Sequence, residues 1–193
     1  MAPESSLMSL WVCVTLCLSH SRSVPIACRF NGHQVESSLE LLKTTGGSFP
    51  VGCLEEKVAI PFPASAFRSA GVSEVSDVFA MVLNETFSSV TAVFADGDAP
   101  PQWRPSLLED FHNRVFRLSD DFSPCATTVR GLRGDVKSGF LDRAQLVKTY
   151  FDKMEAVLRE KKYSFCAWEI VRQETVRTLE FILEHNADSL LWP

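Results

Sequence analysis

Two stripes of apolar residues near the C-terminus constrain this chain more than any other feature. Val147, Tyr150, Phe151, Met154, Val157 and Leu158 recur at helical spacing, and so do Trp168, Val171, Thr175, Leu179 and Ile182. Only a few residues, Lys161-Lys162-Tyr163-Ser164-Phe165, lie between them. So short a connector makes two helices antiparallel neighbours, and the rest of the chain must pack around that hairpin.

The same period recurs upstream. Val35, Leu39 and Leu42 form a brief stripe ended by Thr44-Thr45-Gly46-Gly47, a glycine pair being a frequent helix stop. A second helix is expected from Ser73 to Phe94, with Val75, Val78, Phe79, Val82, Leu83, Val90, Val93 and Phe94 on its apolar side. Asp96-Gly97-Asp98-Ala99-Pro100-Pro101 breaks it, and Ser106-Leu107-Leu108-Glu109 reads as a capping box for a third helix carrying Phe111, Val115, Leu118 and Phe122. A fourth should run from Phe140 to Lys161. Two connections are long: Ser48 to Gly71, holding Pro50, Cys53, Pro61 and Pro63, and Thr127 to Ser138, rich in Gly and Arg. The expected fold is therefore all-α, a bundle of about five helices in up-up-down-down order, with two crossovers running over its outside.

Residues 1–23 read as a signal peptide. An apolar block from Leu7 to Leu18 is too short to span a bilayer and leads to Ser21 and Ser23, small residues fitting a cleavage site, with Pro25 just beyond. Glu4 precedes the block and no Lys or Arg does, so the free amino terminus supplies its only positive charge. No later stretch reads as long and apolar enough to cross a membrane, so residues 24–193 are expected as one released domain, enough chain to bury roughly 70% of its unfolded surface. Cleavage removes one acid, Glu4, and one base, Arg22, which leaves the net charge at −5. An acidic chain without a basic run is a poor match for phosphates, which argues against nucleic acid and anionic lipid as partners.

Cys13 and Cys17 leave with the signal, and Cys28, Cys53, Cys125 and Cys166 remain. In an oxidising compartment these suggest two disulfides, although four cysteines allow three pairings. A zinc site is a poor alternative because no pair has the short Cys-x-x-Cys spacing. His20, His33, His112 and His185 lie in separate elements without metal-ligand spacing, and there is no nucleophile elbow or phosphate-cradling glycine loop. No catalysis, cofactor or metal is expected. Arg133-Gly134-Asp135 spells an integrin-binding tripeptide, but three residues are a weak match and ordinary loop chemistry explains them. Asn84-Glu85-Thr86 is a glycosylation sequon, placed by helical spacing about 200° around from Val82 and so facing solvent.

Glu160-Lys161-Lys162-Tyr163-Ser164 followed by Cys166-Ala167-Trp168-Glu169-Ile170-Val171-Arg172 closely resembles the start of the last helix in type I interferons. The likeness extends more weakly from Cys28 to His185, and departures from the mammalian pattern point to a bony-fish-like member. The resemblance implies a secreted antiviral cytokine that joins two chains of a class II cytokine receptor and triggers Janus kinase and STAT signalling, acting as a monomer without inserting into membranes. Type III interferons and interleukin-10-like cytokines share the bundle, and the Cys-Ala-Trp-Glu-Ile-Val-Arg run favours type I. The resemblance also implies bonds from Cys28 to Cys125 and from Cys53 to Cys166. It places receptor contacts at Leu54 and Lys57 of the first crossover and at Arg172, Val176, Arg177 and Phe181 of the last helix. Arg172 and Arg177 equally stand where Glu169, Glu174 or Glu180 would pair with them along the helix.

A different class of function, a membrane-active amphipathic protein, needs a basic polar face. The last helix instead offers Glu169, Gln173, Glu174, Arg177, Glu180 and Glu184, a predominantly acidic set expected on its solvated side. Peptide mapping under non-reducing conditions should join Cys28 to Cys125 and Cys53 to Cys166, and a Cys28 to Cys53 peptide would overturn both pairings. Each bond closes a loop on the order of 100 residues, so reduction should cost about 4 to 5 kcal/mol per bond by the chain-entropy account.

Overall fold

A computed structural model describes residues 31–68, 75–95, 99–130 and 135–186. The proposed signal peptide, Cys28 with its bond to Cys125, and Arg133-Gly134 of the integrin-like tripeptide lie outside the described residues. Within them the chain forms helices α1 (Gly32–Gly46), α2 (Ala64–Phe67), α3 (Val75–Ala95), α4 (Pro105–Arg130), α5 (Asp135–Glu160) and α6 (Phe165–Asn186), and a 3-10 turn spans Val51–Glu56. No strand occurs among the described residues.

α1 starts where Asn31 caps it, its side-chain oxygen accepting from the Gln34 amide at 3.3 Å. It buries Val35, Leu39 and Leu42, the expected stripe. Its end falls at the glycine pair: Gly47 takes φ +71°, a left-handed conformation costly for other residues, while its amide reaches back to the Lys43 carbonyl at 2.8 Å. α3 packs most extensively on α4 and next on α5, and α1 lies against α4 and α6.

α3 bears out the second expected helix and also corrects a reading. Val78–Ala95 has mean hydropathy 1.5 over 18 residues, enough by length and composition alone to cross a membrane. The helix instead lies in the core between α4 and α5, burying Phe79, Ala80, Val82, Leu83, Phe87, Val90 and Val93. Phe87 stacks on Phe122 of α4 at 5.9 Å between ring centroids.

The boundaries of α4 and α5 differ from expectation. α4 opens at Pro105 rather than at a Ser106 cap, since a proline in the first turn gives up an amide hydrogen that no carbonyl there would accept. It then runs through Pro124 to Arg130, and α5 begins at Asp135 rather than Phe140. Most of the second crossover, expected as a loop from Thr127 to Ser138, is thus helical. Once nucleated, a helix gains a hydrogen bond with each added residue, and Thr and Arg are tolerated there.

The first crossover dips into the core. Cys53, Ile60, Ala66 and Phe67 are buried, and the Phe62 and Phe67 rings stack at 5.6 Å. Near its start it is bonded to the base of α6 by the Cys53–Cys166 disulfide.

α6 occupies the centre. From Ala167 to Thr178 only Gln173 and Arg177 escape full burial, and two residues expected on the solvated side, Glu169 and Glu174, are enclosed. Trp168 is buried as its position on the helical wheel requires. Its ring neighbours are Phe94 of α3 at 5.9 Å, Trp103 ahead of α4 at 5.8 Å and Tyr163 at 6.3 Å. A wheel fixes which face is inward but not which helix lies opposite. The indole N–H has no acceptor among the described residues, so the ring stabilises through packing. Trp168→Ala should lower unfolding free energy by about 3 to 5 kcal/mol, read as a fall in the urea midpoint.

Candidate functional site

Where α6, α1 and the first crossover meet, a charged network is sealed from water. Glu169 and Arg172 stand one helical turn apart on α6, and their side chains are 0% and 2% exposed. Arg172 donates to Glu169 Oε2 from Nη2 at 2.6 Å and from Nε at 3.1 Å, the forked geometry that only arginine offers. The other carboxylate oxygen, Oε1, accepts from Trp103 Nε1 at 2.6 Å. Arg172 also donates to the Gly47 carbonyl at 2.8 Å and to the Leu42 carbonyl at 3.5 Å. Carbonyls in the last turn of a helix lack intrahelical donors and sit at the negative end of its dipole, so a buried cation suits the end of α1. Arg104 donates to a further carbonyl there, that of Thr44. Gly46 is small of necessity: a Cβ on it would overlap Arg172 Nε and come within 2.8 Å of Glu169 Oε1.

Farther along α6, Tyr150 of α5 donates to Glu174 Oε2 at 2.7 Å. Burial, reinforced by the Glu174 charge, pushes the phenol far above its ordinary range, which keeps it a donor. Glu174 also pairs with Arg177 at 3.6 Å, and the Arg177 guanidinium lies 4.9 Å from the centroid of the Phe62 ring. Phe62 further contacts Tyr150 and Phe181 at 5.5 and 5.0 Å. The crossover and the glycine leading into it are therefore held to α6 by Cys53 on Cys166, Gly47 on Arg172, Phe62 beside Arg177 and Phe181, and Phe67 beside Phe181.

The expected contact residues divide between inside and outside. Leu54 is 55% exposed, Lys57 is exposed with its ammonium 5.7 Å from the Phe49 centroid, and the Arg177 side chain is 55% exposed. Phe181 is half-buried and stacks on His185 at 3.8 Å. Arg172 and Val176 are corrections, because both are buried and neither offers a surface to a partner. Arg172 belongs instead to the pairing with Glu169, and Val176 to the core. Val51 and Val58, also exposed, extend the apolar surface around Leu54. Their position next to an anchored cysteine was the available sequence signal.

The sequon on α3 is less open than its spacing implied. Asn84 is half-buried, and the Thr86 hydroxyl is buried, donating to the Val82 carbonyl at 2.7 Å.

Residues 30–188 match a family model described as the interferon alpha/beta domain. Human interferon alpha-7 is 29% identical over 171 residues, which is 87% of this chain and 89% of that protein. Human interferon alpha-21 is 30% identical over 141 residues, 73% of each chain. Among solved structures, zebrafish interferon 2 superposes with a TM-score of 0.71 at 31% identity, covering 80% of this chain and 97% of its own. Zebrafish interferon 1 superposes with a TM-score of 0.59 at 22% identity, covering 79% and 94%, which supports the fold alone.

Arg172→Ala supplies a test of the buried assignment. It leaves the Glu169 carboxylate enclosed without a counter-charge and should cost about 3 to 5 kcal/mol of unfolding free energy, read as a fall in the urea midpoint. Removing an arginine on the surface would change that free energy by no more than about 0.5 kcal/mol.

Proposed function

Because this chain belongs to the interferon alpha/beta family, as a type I interferon of the bony-fish kind with a helical cytokine fold, we propose that it is secreted and bridges two class II cytokine receptor chains. The proposed consequence is activation of the receptors' Janus kinases and STAT proteins and induction of antiviral genes. The higher-affinity chain would dock on the first crossover and the outer face of α6.

One observation carries the choice of face. Cys166 and Arg177 lie about three helical turns apart and within about 20° of each other around α6. The disulfide at Cys166 brings in the crossover with Leu54 and Lys57, while Phe62 and Arg177 meet farther along the same strip. Exposed apolar residues flanked by cations suit a receptor patch with its own apolar centre and acidic groups. Lys57 stands where the resemblance more often has arginine, so it offers a point charge rather than a bidentate fork. Glycosylation at Asn84 belongs to the same proposal and would take place during synthesis, before the Thr86 hydroxyl is buried.

On cells from a bony fish carrying an interferon-responsive reporter, the cleaved protein should induce transcription. Lys57→Ala and Arg177→Ala should each weaken receptor binding by about 2 kcal/mol. The unfolding free energy of Lys57→Ala, followed in urea, should stay within about 0.5 kcal/mol of the parent. Parental potency in both variants would move the receptor site to another face.

A further inference from the structure

Burial alone does not hold the 3-10 turn Val51–Glu56 in place. Cys53 is its only buried residue, while Val51 is 81% and Leu54 55% exposed. Its order comes from tethers: the Cys53–Cys166 bond, a 3.0 Å ion pair from Lys161 to Glu56, and the Arg172 hydrogen bond to the Gly47 carbonyl. The last of these acts at the most permissive point. Gly47 is left-handed, and no atom lies within 4 Å of where its Cβ would stand, so sterics do not fix the direction in which the chain leaves α1. Arg172 fixes it. Its guanidinium is itself immobilised by two bonds to Glu169, whose other oxygen is held by Trp103.

We propose that Arg172 is a positioning residue for the receptor surface: by gripping the Gly47 carbonyl from inside the protein, it sets the path of the crossover and so the register in which Leu54 and Lys57 stand beside α6. This rests on the receptor reading above. A disulfide alone fixes one point of a strand and leaves it free to pivot, whereas a second grip at Gly47 fixes the span between them. Arg172 thus acts on a receptor it never touches, through a loop whose own side chains do the touching.

Gly46→Ala isolates this role. It alters no charge, no exposed contact residue and no crossover residue, and alanine is the better helix former at a helical position. Its methyl group would nonetheless occupy the space of Arg172 Nε and force the guanidinium out of its seat. With the mature, disulfide-bonded protein, two quantities are read: potency on the bony-fish reporter cells, and hydrogen exchange at the Cys53 and Lys57 amides, which donate within the turn at 3.0 and 3.3 Å. Gly46→Ala should speed exchange at both amides and lower potency about tenfold, the scale of a hot-spot loss. In an Arg172→Met background the same substitution should have little further effect on either reading, because the grip is already gone. Faster exchange with parental potency, or equal losses of potency in the two backgrounds, would overturn the positioning role. If Arg172→Met does not fold, the single variant still decides, since unchanged exchange and potency in Gly46→Ala overturn the proposal by themselves. The receptor reading fails differently: the parent protein is then silent on the reporter, or Lys57→Ala and Arg177→Ala keep full potency while Gly46→Ala still loosens the turn.

Discussion

The structure depends on a buried ion pair whose further hydrogen bonds reach two other parts of the chain. Taking Glu169 and Arg172 out of water costs several kcal/mol per ion, and their mutual attraction compensates only when the other donors and acceptors are satisfied. Here Trp103 serves the carboxylate, and the carbonyls of Leu42 and Gly47 serve the guanidinium. Only one arrangement of α1, the approach to α4, and α6 satisfies all of them at once. An apolar contact tolerates sliding, but this network does not. It specifies placement, while the aromatic cluster of Phe94, Trp103, Phe111 and Trp168 beside it supplies much of the burial.

Apolar periodicity made the helices legible. The stripes Val35–Leu39–Leu42, Phe111–Val115–Leu118–Phe122 and Val147–Tyr150–Met154 all face the core, and the glycine pair ends α1 where the sequence placed its stop. Ends marked only by composition were misread, since the Gly and Arg content around 127–138 suggested a loop while helix propagation carried α4 to Arg130. Arg172 was misread for a deeper reason. A charged residue is almost always at the surface unless paired. The pairing with Glu169 was legible as a local one, but the enclosure of the pair involves carbonyls about 125 positions earlier that no local pattern reveals. The combination of Glu169 with Arg172 next to a buried tryptophan, and two consecutive glycines elsewhere, was the faint signal available. Val176 was placed outside by the resemblance alone, whereas a central helix buries several faces.

The exposed residues are ordered by the interior in a way that bears on recognition. Lys57 lies near the ring of Phe49 and Arg177 over that of Phe62, each cation resting against an aromatic face of the crossover. Long cationic side chains otherwise lose considerable rotamer freedom on binding, and side chains already held in place lose less. The half-buried Phe62 and Phe181 join this outer surface to the core.

The partners of α1 also set an order of events in time. Its last carbonyls are met by Arg104, 60 residues on from Thr44, and by Arg172, which follows Leu42 by 130 residues and Gly47 by 125. α1 is translated before α6, yet the end of α1 cannot be completed until α6 has emerged. Contacts so distant in sequence must meet their loop-closure entropy before they give any stability, which slows folding and leaves apolar helix faces uncovered meanwhile. A nascent chain of this protein therefore spends its synthesis as a set of unfinished helices and closes late, when its central helix arrives.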